Sequence, residues 1–149
     1  MVLDHSHIQQ TVYRILDANL DRAREGLRII EEWCRFGLNN SEFSSICKHL
    51  RQELGIWHTV EIRAARDTPG DPGTDLTHPQ EEKRVDITSL LQANFCRVQE
   101  ALRVLEEYGK LDDGNMGIAC KKMRYQVYTL ESNLMGYQRH QLLWRSHLY

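Results

Sequence analysis

The chain has 149 residues, 41% of them hydrophobic and 27% charged, with a formal net charge of −2. That length fits one domain with an adequate core, and the near-neutral balance gives no bulk electrostatic reason to bind nucleic acid or an anionic membrane. No apolar run approaches the ~18 residues of a membrane-spanning helix, and the start Met-Val-Leu-Asp-His-Ser-His lacks the basic-then-apolar order of a signal peptide, so a cytoplasmic location is expected.

The three prolines, Pro69, Pro72 and Pro79, sit in or near one loop and leave long uninterrupted stretches on either side, which predicts a mostly helical chain. The first helix is predicted from about 8 or 11 to 36, closing at the Gly37-Leu38-Asn39-Asn40 stop. Ser41 reads as the N-cap of a second helix, 41–65, whose apolar positions Phe43, Ile46, Cys47, Leu50, Leu54 and Trp57 keep helical spacing. A loop over 66–85 follows, then a third helix over 86–108. After the Asp112-Asp113-Gly114-Asn115 turn, a fourth helix runs over about 116–143. Cys34, Cys47, Cys96 and Cys120 all fall in predicted helices without CxxC spacing, so they are expected to be small buried thiols rather than a disulfide set or a zinc site. The His5-x-His7 pair has no third ligand nearby, and metal binding there is not expected.

The stretch from Leu16 to Trp33 recurs as Leu91 to Tyr108, with identities at Leu16/Leu91, Ala18/Ala93, Asn19/Asn94, Arg22/Arg97, Glu25/Glu100, Leu27/Leu102, Arg28/Arg103, Glu31/Glu106 and Glu32/Glu107. A repeat that keeps its polar residues carries more information than apolar periodicity alone. It extends into the partner helices, where Cys47-Lys48-His49-Leu50-Arg51 matches Cys120-Lys121-Lys122-Met123-Arg124, and Arg66 falls on Arg139 at the same offset. The expected fold is all-α: two duplicated helical hairpins packed about a pseudo-twofold axis into a four-helix bundle.

On each repeated helix the small and apolar residues (Ala23, Gly26, Ile30 and Trp33; Val98, Ala101, Leu105 and Tyr108) share one face, and one turn back that face reaches Asn19 and Asn94. Arg22 and Arg97 lie at its edge, with Glu25 and Glu100 a turn further on. Unpaired burial of such groups is costly, so their partners are either each other, in a structural network, or a ligand at the repeat interface, where bundles bind ligands. Among the basic residues Arg outnumbers Lys 14 to 5, and Arg is suited to bidentate contact with phosphate or carboxylate. Lys48 and Arg51, like Lys121 and Arg124, lie one turn apart. Taken alone each pair reads as a solvated face; directed into the groove of Arg22 and Arg97 they make a cationic cavity suited to a polyanion.

The loop from Arg66 to Asp75 interleaves Asp67, Asp71 and Asp75 with glycines and prolines. It reads either as a Mg2+ or nucleotide-phosphate loop or as an exposed connector whose aspartates form turns. Walker A, GxGxxG, GxSxG and HExxH signatures are absent from the sequence.

Four segments, 17–28, 66–74, 93–108 and 121–131, together resemble the single-function hydroxymethylpyrimidine phosphate kinase family, whose members occur alone or fused ahead of thiamine phosphate synthase. The likeness covers nearly the whole chain, and the tail from Tyr137 looks like the passage into the synthase barrel, which suggests the N-terminal part of a longer chain with that barrel in cis. The resemblance implies ATP-dependent phosphorylation of 4-amino-2-methyl-5-phosphomethylpyrimidine to its pyrophosphate, which thiamine phosphate synthase then consumes. Physical inference supplies the roles. Arg22, Arg97 and Arg66 are the candidate catalytic clamps. Asn19, Asn94, Glu25, Glu100, Lys48, Arg51, Lys121 and Arg124 are candidate substrate or phosphate ligands, and Asp67 and Asp71 the candidate Mg2+ ligands. The competing classes are a non-catalytic dimerisation or regulatory domain of the synthase and a nucleotide-hydrolysing or nucleotide-sensing bundle; a homodimer is compatible with either.

Overall fold

The computed structural model describes residues 4–75 and 83–148, with side chains as far as Trp144. Among these residues every regular element is helical: α1 (His5–Glu32), a π-helical turn (Trp33–Gly37), α2 (Ser41–Trp57), α3 (Val60–Ala64), α4 (Ile87–Gly109) and α5 (Gly114–Leu148). Short polar side chains start the helices. Asp4, Asn40, Thr59 and Asp86 accept the amides of His7, Phe43, Ile62 and Ser89 and so satisfy donors that a helix start leaves orphaned. α1 itself ends at Glu32, and its π-helical continuation carries the run to the expected stop at Gly37, with Asn39 in the left-handed region at φ 50°. Gly37 is dictated by packing: a Cβ there would lie 2.3 Å from the Trp33 ring.

α1 and α4 form the central pair, α2 packs on α1, and α5 packs on α4. Leu16, Leu20, Leu27 and Ile30 meet Leu91, Phe95, Leu102 and Leu105 in one buried core, to which α2 adds Cys47, Leu50 and Leu54, and α5 adds Met123, Val127 and Leu134. The central helices approach closely because Gly26 faces Asn94 and Val98 on α4. Each hairpin is fastened by the same residue pair. The Arg51 guanidinium donates two bonds of 3.0 Å to Glu31, and Arg124 binds Glu106 in the same forked manner. These paired contacts are what a twofold relation between the hairpins would give.

Several expectations need correction. The predicted second helix, 41–65, is two helices broken at His58-Thr59, and Asn40 rather than Ser41 caps its start. α1 and α5 run further than expected, from His5 and to Leu148. Part of the predicted loop, 76–82, lies outside the described residues. Cys96 is exposed while Cys34, Cys47 and Cys120 are buried. Tyr108, expected on the buried stripe, is 40% exposed, whereas its counterpart Trp33 is covered by α5 and donates its indole N–H to Gln138 at 2.9 Å.

Candidate functional site

The amides that head the two buried stripes are indeed buried, Asn19 5% and Asn94 7% exposed. Each Nδ2 donates to the carbonyl one turn back, Asn19 to Ile15 at 2.9 Å and Asn94 to Leu90 at 2.8 Å, which leaves each Oδ1 available to a further donor. In the first copy that donor is Arg22 Nη1 at 3.4 Å.

Arg22 and Arg97 are themselves exposed, because they sit at the rim of the stripe, but they are not splayed apart. With Asn19 they form the shared wall of two adjoining hollows. The first, about 630 Å³, is closed by Arg14, Asp21, Glu25, Arg66 and the loop residues Asp67, Thr68, Asp71 and Thr74. The second, about 1030 Å³, is walled by Gly73, Arg84, Ala93, Asn94, Cys96, Glu100, Ala101 and Val104. Both volumes are in the range of small-molecule sites. Across the helix pair Arg97 Nη2 lies 3.7 Å from Glu25 Oε2. Both side chains are more than half exposed, so this ion pair contributes well under ~1 kcal/mol and leaves the guanidinium free to turn to a stronger anion.

Arg66 is held far more firmly. Its Nε and Nη2 donate to Asp17 at 2.8 and 2.9 Å, and Nη2 also binds Asp21. Asp17 is buried and takes a third bond, 2.7 Å, from the fully buried His58 ring. Burial alone would push the Asp17 carboxyl up, but the Arg66 and His58 bonds outweigh it and hold the group below the usual carboxylate range. The same contacts raise the guanidinium of Arg66. The break between α2 and α3 places His58 against α1, and α3 carries the chain back so that Arg66 reaches the mouth of the hollow. Sequence reasoning missed Asp17, Asp21 and His58. The available signal was divergence within the repeat, since Asp17 and Asp21 align with Gln92 and Cys96.

The remaining predicted residues divide. Asp67 and Asp71 lie at the edge of the hollow, each with one carboxylate oxygen capping a loop amide, Gly70 at 3.0 Å and Gly73 at 2.8 Å. Among the described residues no three His, Cys, Asp or Glu side chains converge as a metal cage. Two exposed carboxylates beside arginines suit Mg2+, which takes one or two carboxylates and completes its shell with phosphate oxygens and water. Glu100 lines the second hollow. Lys48, Arg51, Lys121 and Arg124 do not join Arg22 and Arg97, and the single cationic cavity expected from them is not formed. Arg51 and Arg124 are consumed by Glu31 and Glu106. Lys48 lines a separate hollow between α1 and α2, and Lys121 is on the outer face of α5. The reason is helical register: a side chain that reaches across its own hairpin to a buried carboxylate points away from the interface between hairpins.

Comparison with known proteins places this geometry in a family. The model of the ThiD2 family matches residues 14–133. The chain belongs to the ThiD2 family. Similar proteins are the thiamine-phosphate synthases of Nostoc punctiforme, 79% identical over 142 residues, and of Synechocystis sp., 62% identical over 138 residues. These alignments cover 95% and 93% of this chain and 40% of each relative, so the ThiD2 chain spans about two-fifths of the length of the curated relatives it matches. No solved structure matches it significantly. No helix among the described residues is long and apolar enough to cross a membrane.

Proposed function

We propose that this ThiD2 chain is a phosphotransferase of thiamine biosynthesis that uses ATP to convert hydroxymethylpyrimidine phosphate to its pyrophosphate, the substrate consumed by thiamine phosphate synthase. One observation carries the reading: Arg22 and Arg97, the same residue from each repeat, line one hollow together with Arg66 and two loop carboxylates. The names of the relatives support the pathway, and in proteins of their length a synthase barrel would lie in cis.

The reaction joins an oxygen of the acceptor's phosphate to the γ-phosphorus of ATP as the bond to the β-bridging oxygen breaks, and ADP departs with that electron pair. Two anions must be held in line while charge spreads over the transferring group, so positioning and cationic neutralisation do most of the work. Arg22 and Arg97 clamp the phosphates that meet at the centre of the hollow, and Arg66, fixed by Asp17 and Asp21, supplies a preset third guanidinium. Asp67 and Asp71 would hold Mg2+, which supplies further neutralisation of phosphate charge when bound. The acceptor phosphate is already anionic near neutral pH, so the chemistry needs no general base.

The test is direct. The chain, incubated with Mg-ATP and the pyrimidine monophosphate, should yield ADP and the pyrimidine diphosphate in equal amounts. Arg22→Ala and Arg97→Ala should each lower turnover by about 10²-fold or more with helicity intact. ADP without the pyrimidine would identify a nucleotide hydrolase, and no ADP at all a non-catalytic domain of the synthase.

A further inference from the structure

A separate hollow rich in cations lies between the end of α1 and the start of α2. Its volume is about 700 Å³, and it shares no lining residue with the two hollows that hold Arg22 and Arg97. We propose that it is an anion site for the phosphate or diphosphate group of a small molecule, with Arg28, Arg35 and Lys48 as its cations and the serine hydroxyls at the start of α2 as further donors. The site goes beyond the phosphotransferase reading and does not depend on it.

The first observation is charge that the fold does not neutralise. Arg28, Arg35, Lys48 and Arg51 line the hollow against one carboxylate, Glu31, in a chain whose net charge is −2. Glu31 takes Arg51 in a mostly buried pair, which leaves three cations. Lys48 has no carboxylate partner among the described residues, and Arg35 stacks on the Phe36 ring at 4.8 Å without one. Arg28 binds Glu32 at 2.7 Å, but both side chains are exposed, so the pair is weak and the guanidinium can turn to a stronger anion. Three like charges in one hollow repel one another. A phosphate or diphosphate removes that repulsion and offers each cation an acceptor oxygen.

The second observation is the supply of neutral donors. Ser41, Ser44 and Ser45 line the same hollow. Ser44 donates its hydroxyl to Asn40 O at 2.9 Å, whereas Ser41 and Ser45 make no side-chain bond among the described residues. The start of α2 adds the positive end of its dipole, and the acid of that first turn, Glu42, lines a different groove, between α2 and α5.

The repeat provides an internal comparison. All four cations recur, Arg28 as Arg103, Arg35 as Lys110, Lys48 as Lys121 and Arg51 as Arg124, but their surroundings do not. Ser41, Ser44 and Ser45 correspond to Gly114, Gly117 and Ile118. Arg103 and Lys110 both bind Glu107, at 2.9 and 3.2 Å, and so belong to a surface ion-pair cluster. In the first copy the wider π-helical turn over Trp33–Gly37 takes Arg35 out of the matching position over Glu32 and leaves it lining the hollow. Repetition therefore accounts for the basic residues, and only the first hairpin surrounds them with hydroxyl donors.

Pyrophosphate is the probe, titrated calorimetrically without Mg2+ into the Arg22→Ala/Arg97→Ala chain so that the proposed transfer site is disabled. It should bind, and adding Arg35→Ala with Lys48→Ala should weaken that binding about tenfold or more. Lys121→Ala with Lys122→Ala removes the same charge from the outer face of α5 and should leave binding within about twofold. All four of these positions are exposed, so helicity and the unfolding midpoint should not change. Competition by glycerol phosphate and by inorganic phosphate separates the sources. Preference for the ester assigns the site to a phosphorylated small molecule, and preference for the inorganic ion to free phosphate. No binding, binding indifferent to Arg35 and Lys48, or equal weakening by the two double substitutions would each overturn the proposal. The readout is binding rather than turnover, so failure here leaves the kinase reading intact, and loss of that reading leaves this site intact.

Discussion

Asp17→Asn tests the buried cluster that carries Arg66. The substitution keeps the shape of the side chain, removes its charge and turns one acceptor oxygen into a donor. Asp17 accepts three bonds, one from His58 and two from Arg66, with its side chain only 5% exposed and that of His58 fully buried. Removing one partner from a buried ionic group typically costs 3–5 kcal/mol. The Arg66 side chain is 42% exposed, so it recovers hydration and keeps Asp21, and its share is small. What remains is the loss of a buried charge-assisted bond to His58, about 2–3 kcal/mol. Denaturant unfolding followed by helical circular dichroism should show that loss as a lowered midpoint at unchanged slope, and melting about 4–10 °C lower. Asp21→Asn, at a side chain 33% exposed, should cost under ~1 kcal/mol. The sign with pH follows from the native Asp17 carboxyl lying below its unfolded value. Its stabilisation is present above the unfolded pKa, about 3.9, and is lost as pH falls through the native value, so wild type should lose its advantage over Asp17→Asn below about pH 4. An Asp17→Asn protein within ~0.5 kcal/mol of wild type at pH 7 would refute this reasoning, because the three bonds would then be energetically empty.

Further outcomes follow from other contacts. Gly26→Ala would place a methyl 2.6 Å from Val98 Cγ2 and 3.3 Å from Asn94 O. Overpacking of ~1–3 kcal/mol should exceed the ~1 kcal/mol gain in helix propensity, and Val98→Ala in the same chain should relieve the clash. Glu106→Gln leaves Arg124, 16% exposed, without its carboxylate and should destabilise by about 3 kcal/mol. Lys121→Ala, on the outer face of α5, should change both stability and turnover little, by under ~0.5 kcal/mol in unfolding free energy. Asp67→Asn with Asp71→Asn should raise the Mg2+ concentration needed for half-maximal turnover about tenfold or more, each charge being worth over 1 kcal/mol at such a site, while unfolding is unchanged.

The fold was legible because it rests on periodicity and stop signals that act locally. The helical rhythm of Leu16 to Trp33, its repetition at Leu91 to Tyr108, and the Gly37 to Asn40 stop all survive in the structure. The break at His58 was missed although Gly55 and the N-cap Thr59 both fall there, because the apolar spacing from Phe43 to Trp57 was read straight through them. Tertiary bonding decides it, because the buried Asp17 must have His58. The site was half legible for a related reason. Repeated polar residues singled out Asn19, Arg22, Asn94 and Arg97, which line the two hollows, but repetition cannot separate a ligand from a hairpin clamp. Lys48, Arg51, Lys121 and Arg124 repeat as faithfully, yet Arg51 and Arg124 repeat because each hairpin needs a partner for Glu31 and Glu106.

A duplicated helix pair also constrains where a two-substrate site can lie. Gly26 meets Asn94 and Val98, while Arg22 shares a hollow with Glu100 and Ala101, so α4 runs back along α1. In an antiparallel pair of copies, equivalent residues approach one another only near the crossing point, which here falls beside Ala23 and Val98. Arg22 and Arg97 precede those two positions by one residue each, so under the proposed function they are the equivalent charged residues placed to act together. Asn19 and Asn94 lie a turn away in opposite directions, and whatever each copy adds beyond them belongs to one end alone. Divergence is then free to act at the ends, where Asp17 aligns with Gln92, without disturbing the arginine pair. The proposed transfer between two phosphates would use such a centre, with equivalent arginines from both copies placed to share one phosphoryl group.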